Sequence, residues 1–181
     1  MKDDYIIVLD FLPHGKASDR KAEPLVQGIG DKFLNLLEVV VTEDAKIKVG
    51  DRLYIGEEKR EHVEYIRGRI NYFDLTNYSR NEVERIVNEL INKDEKRFVD
   101  FFNKAMPVTT RLHTLELLPG IGKKHLWQII SERKKKPFET FKEVQERIPM
   151  LPDPKKMVIR RIVDELEGKD RYRLFVSSSI V

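Results

Sequence analysis

The chain has 181 residues and 34 Lys and Arg against 31 Asp and Glu, a formal charge of +3. That length suits one large domain or two small ones, and a hydrophobic fraction of 40% excludes wholesale disorder. With no cysteine there is no disulfide, thiolate nucleophile, iron–sulfur cluster or zinc ribbon. No apolar run reaches the roughly 18 residues of a membrane span, and the start MKDDYIIVLDF is broken by Asp10 with no small-residue cleavage site after it, so no secretory signal is expected. The expectation is a soluble, cytoplasmic protein.

The first part reads as strands: Tyr5–Leu12, Pro24–Gly30, Phe33–Val41, Asp51–Gly56 and Val63–Tyr72 are rich in β-branched and aromatic residues and separated by turn-forming stretches. Five strands over residues 1–76 predict a small β-barrel, with an oligonucleotide-binding (OB) barrel the leading arrangement, because closure removes exposed edges. An SH3-like or open sheet fits the same count. Helices then take over, so the fold class is α+β.

Residues 77–106 read as two bridging helices. Ser79-Arg-Asn-Glu82 has capping-box spacing, and Val83, Ile86, Val87, Leu90 and Ile91 follow one buried helix face. Phe98, Phe101, Phe102 and Ala105 line a second helix that Pro107 ends. Residues 107–181 read as four further helical segments and a closing strand. The helices are Arg111–Leu118, Lys123–Lys135, one opened by the capping box Thr140–Glu143, and Lys155–Leu166, opened by the N-cap Asp153 with Pro154 at the first helical position. The strand is the alternating Arg171–Val176.

The stretch with most chemistry is Leu118-Pro-Gly-Ile-Gly-Lys-Lys124. Gly120 and Gly122 allow a tight turn with positive φ and close backbone approach. The helix that follows starts with unpaired N–H groups and the positive end of its dipole, an anion site flanked by Lys123 and Lys124. Such donors address a phosphate rather than a base, which predicts binding largely blind to sequence. The run Lys134-Lys135-Lys136 either extends this basic track or solvates the helix end.

From Leu112 through Arg133 the chain resembles the helix-hairpin-helix family. The resemblance implies that Gly120, Gly122, Lys123 and Lys124 hold a nucleic-acid phosphate, with Ile121 as the apolar plug between the helices. At Leu126 that family usually has a small residue, which implies wider helix packing here. Phe141–Leu166 looks like a degenerate second copy, its turn two residues longer, without glycine, and with prolines that remove donors. Lys155 and Lys156 there are auxiliary contacts. Taken end to end, the chain resembles a family of uncharacterised archaeal proteins described only as probable nucleic-acid binders, which implies no defined reaction.

Charge supports the same reading. Residues 1–106 carry −3 and residues 107–181 carry +6, which suits an anionic partner at the C-terminal part. In the strand region Tyr54, Arg67, Arg69 and Tyr72 form a candidate single-strand platform, since bases stack on aromatics beside cations. No catalytic constellation is found. His14, His62, His113 and His125 are scattered without metal-ligand spacing, and phosphate-loop, nucleophile-elbow and zinc-protease motifs are absent.

The expectation is therefore a non-enzymatic binder of DNA or RNA, with no cofactor, metal or membrane partner. Two alternatives stand beside it. One is a structural module whose acidic N-terminal part docks a protein. The other is a glycosylase or lyase using Asp153, a residue that its Leu-Pro-Asp-Pro setting makes a helix cap instead.

Overall fold

A computed structural model of the chain describes residues 2–177. Its strands are β1 (Tyr5–Leu12), β2 (Leu25–Gly30), β3 (Leu36–Val41), β4 (Arg52–Tyr54) and β5 (Val63–Arg69), joined antiparallel in the order β4-β1-β2-β3-β5. β2 and β3 are buried along their whole length. On one face Ile6, Val8, Val26, Val39, Val41 and Leu53 form a core. On the other, Gln27 pairs across the strands with Glu38 and gives its amide to that carboxylate at 2.9 Å.

The sheet curls because its register slips. One shift lies between Val8 and Asp10 of β1, and two lie along the β3–β5 pairing, where Glu64 and Arg67 are extra residues on β5. Where a small barrel is expected, the five strands form a curled antiparallel sheet. Among the described residues its ladder ends at β4 on one side and β5 on the other. β4 pairs over only three positions.

Five α-helices follow: α1 (Asn77–Lys93), α2 (Glu95–Lys104), α3 (Lys123–Lys135), α4 (Phe141–Arg147) and α5 (Pro154–Leu166). Three local expectations are corrected. The cap of α1 is Thr76 rather than Ser79: the Thr76 hydroxyl accepts from Ser79 N at 3.0 Å, while the buried Ser79 hydroxyl donates to Gln27 at 2.8 Å. The expected helix Arg111–Leu118 is only a 3-10 turn at Thr114–Leu117. Thr109 Oγ1 holds Leu112 N at 3.0 Å and Pro107 bridges to His113, so the preceding residues form a bend. The segment Arg171–Val176 is not a strand. Three of its backbone donors go to one buried side chain, the Glu165 carboxylate, which accepts from Leu174, Phe175 and Val176 at 2.7, 3.1 and 2.9 Å, while Tyr172 N donates to Asp170 Oδ1 at 3.1 Å.

The chain divides into two compact units. The first runs to Ile86 and resumes at Asp164, so the closing segment belongs with the sheet. The second is Val87–Val163. Charge follows this division: the first unit carries −4 and the second +7.

Candidate functional site

In the second unit, Leu118-Pro119-Gly120-Ile121 forms a tight turn. Ile121 N donates to Leu118 O at 3.2 Å, and Gly120 has φ of +95°. A proline followed by a positive φ is the signature of a type II turn, and that φ is why glycine stands there. Leu118 and Ile121 are buried and anchor the turn. From α5, the buried Arg161 donates to Leu117 O at 3.1 Å, fixing the residue that leads into the bend.

Gly122 is the N-cap of α3, and its φ of −98° is open to any residue. A Cβ built there meets nothing within 4 Å. Neither backbone strain nor crowding from the protein therefore calls for glycine at this position. Its consequence is a bare helix start: among the described residues no side chain caps α3, and its first turn holds no acid. Gly122, Lys123 and Lys124 are all exposed. The two lysines differ. Lys123 Nζ turns back to the Glu116 carboxylate at 2.8 Å and to Arg111 O at 3.3 Å. That contact, with the bond from His113 N, holds the Glu116 carboxyl below the usual range. Lys124 has no ion-pair partner among the described residues.

His113 is buried, and its Nδ1 accepts from Leu115 N at 3.1 Å. Burial first, then nearby Arg133, lowers its pKa, so the ring is held neutral as a local cap. Arg133 itself donates to Phe102 O and Ala105 O at 3.1 and 2.9 Å, closing the C-terminal end of α2.

The second copy repeats the turn with different chemistry. Leu151 N donates to Ile148 O at 3.3 Å, and Met150 takes the place of glycine at φ of +58° with its side chain 89% exposed. The start of α5 is not bare. Asp153 Oδ1 accepts from Lys155 N and Lys156 N at 3.0 and 3.2 Å, so this carboxylate is a helix cap. The two turns lie side by side, with the Cβ position of Gly120 3.4 Å from the Pro152 ring.

The remaining candidates scatter. Lys134, Lys135 and Lys136 are exposed at the end of α3, with Lys135 on Glu132 and Lys136 near Glu139 and Glu143. Lys155 reaches Asn92, and Lys156 is exposed. In the first unit, Arg67 is committed to Asp19 at 2.9 Å, with Glu23 and Glu38 nearby. Tyr54 packs edge-on to Tyr5, and its hydroxyl accepts from Glu58 N at 3.2 Å. Tyr72 packs against Phe73. Tyr54 and Arg69 line one groove of about 520 Å³, without Arg67 or Tyr72. The four residues thus form no common stacking face.

One residue escaped the sequence reading. Trp127, the only tryptophan, is 64% exposed on α3, one turn beyond Lys123. Its position off the apolar row Leu126 and Ile129 was the available signal. Among the described residues there is no cluster of three or more metal-ligating side chains, and no helix long and apolar enough to cross a membrane.

A curled five-stranded antiparallel sheet with five helices, and one basic helical unit with an uncapped helix start, define a mixed α+β protein. The chain belongs to the DUF655 family of proteins of unknown function, whose model matches residues 2–177. It is 44% identical over 176 residues to the uncharacterized protein MJ0038 of Methanocaldococcus jannaschii, covering 96% of this chain and 80% of that one. It is also similar to the crystal structure of Af1531 from Archaeoglobus fulgidus, with 42% identity, a TM-score of 0.87, and 97% and 100% of the two chains covered.

Proposed function

We propose that this protein binds the sugar–phosphate backbone of a nucleic acid through the turn Gly120–Lys124, non-enzymatically and largely irrespective of sequence. The observation that carries the reading is the uncapped start of α3, left bare by a glycine that the backbone does not require. Backbone N–H groups and the helix dipole there favour an oxyanion, and the +7 charge of this unit draws a polyanion towards it. The stretch Leu112–Arg133 is read as a helix-hairpin-helix whose first helix is shortened to one 3-10 turn. The OB-like reading of the sheet adds nothing to the site, since its supposed platform residues are dispersed.

The test is a titration of the intact chain with labelled single- and double-stranded DNA and RNA over a range of salt. Binding should weaken with salt, with a slope of about −0.9 per phosphate contacted on duplex DNA and about −0.7 on a single strand. Replacing Gly120 and Gly122 together by valine, in a protein whose circular dichroism is retained, should abolish it. Unchanged affinity in that variant would remove the proposal.

A further inference from the structure

The exposed side of α3 carries more than its first turn. At about 100° per residue, Lys123, Lys124, Trp127, Ser131, Lys134 and Lys135 fall within an arc of about 120°. All six are exposed, whereas Leu126 and Ile129 are buried on the opposite side. No carboxylate lies on this arc, and Glu132 sits at its margin holding Lys135. Trp127 makes no ring, cation or hydrogen-bond contact among the described residues, and Lys124 and Lys134 have no ion-pair partner there. A large aromatic is costly to leave in water, and here it stands within a cationic track about 16 Å long from Lys123 to Lys134.

We infer that Trp127 stacks on an unpaired nucleobase, making α3 a track for single-stranded nucleic acid rather than for the interior of a duplex. The inference rests on the phosphate reading above and narrows it. An indole presents a flat π-face to which any base adapts, so stacking keeps binding indifferent to sequence. A base inside a duplex is already stacked on its neighbours and cannot offer that face. The lysines on either side then serve the phosphates before and after the stacked nucleotide. A cationic protein partner would meet only Glu116 and Glu132 here, both already held by Lys123 and Lys135, and an apolar partner would have to desolvate the lysines around a single ring.

Because Trp127 is the only tryptophan, its emission reports on this one position. The intact chain is titrated at low salt with an oligothymidine single strand and with a blunt duplex of equal length. Anisotropy of the labelled nucleic acid is read alongside the emission with unlabelled strands. The single strand should quench the emission and the duplex should not. Trp127→Ala should weaken single-strand binding roughly tenfold and leave duplex binding unchanged, while Trp127→Phe restores most of the loss. If the single strand binds without moving the emission, or if Trp127→Ala binds like wild type, stacking is wrong although the phosphate site stands. Equal quenching by the duplex overturns the preference for unpaired strands. Absence of any binding overturns this inference and the phosphate reading together.

Discussion

The second unit contains two versions of one device, and their difference is instructive. Leu118-Pro119-Gly120-Ile121 and Ile148-Pro149-Met150-Leu151 make the same hydrogen-bonded turn, each with a positive φ at its third residue. Each is followed by a helix whose first N–H groups need an acceptor. At α5 the chain supplies its own anion, the Asp153 carboxylate. At α3 it supplies nothing, and puts Gly122 where aspartate or serine would cap better. One helix start is completed internally, and the other has no side-chain cap among the described residues. On the proposed reading, the same backbone geometry serves architecture in one place and recognition in the other.

The sharpest way to break this contrast is to give α3 the cap that α5 has. Gly122→Asp enters open space at an ordinary φ, so the fold should tolerate it, with stability unchanged or higher by a few tenths of a kcal/mol. Nucleic-acid binding should fall roughly tenfold or more, because a carboxylate then occupies the site of the phosphate. Filter binding and urea denaturation of the same variant separate the two effects. A variant that loses stability and affinity together would show that Gly122 is structural.

The converse change removes the internal cap. Asp153→Ala should lower stability by about 1 kcal/mol, since two N–H groups at the start of α5 lose their acceptor. Affinity for nucleic acid should not move, and no strand cleavage or base release should be present to lose. Turnover of a damaged duplex by the wild type, abolished by Asp153→Asn, would instead make this residue catalytic.

Much of this contrast is legible in the sequence, and the remainder is not for identifiable reasons. Strand positions and the α3 and α5 boundaries follow from periodicity and from Pro154, because those signals are local. The bare start of α3 is legible too, since Gly122 precedes a helical pattern. The first helix before the turn is not: Leu112, Leu115 and Leu118 have helical spacing, but Thr109 and the bridge of Pro107 to His113 bend the chain first. The Ser79 box fails for a similar reason, because Gln27, far away in sequence, takes the hydroxyl. Arg67 and Tyr54 look like a platform in one dimension. Only the fold shows Arg67 spent on Asp19 and Tyr54 laid against its own loop. Burial by distant partners is what a spacing pattern omits.

The smallest expected effect distinguishes the two lysines that the sequence treats as a pair. Lys124→Gln should reduce the salt slope by about one, because its charge is free to meet a phosphate. Lys123→Gln should change affinity less, since Lys123 must first leave Glu116 and Arg111 O to reach the same ligand. Glu116 keeps its charge well into acid, its pKa being lowered by Lys123 and by the bond from His113 N. At neutral pH the tether is therefore fully in place, and it weakens only as the pH falls through that depressed value. Glu116→Gln should release Lys123 at neutral pH and raise affinity a few-fold at low salt, an increase that vanishes in the Glu116→Gln, Lys123→Gln double variant. If the double variant keeps the increase, the gain comes from removing a negative charge near the phosphate, and Lys123 is not held in reserve.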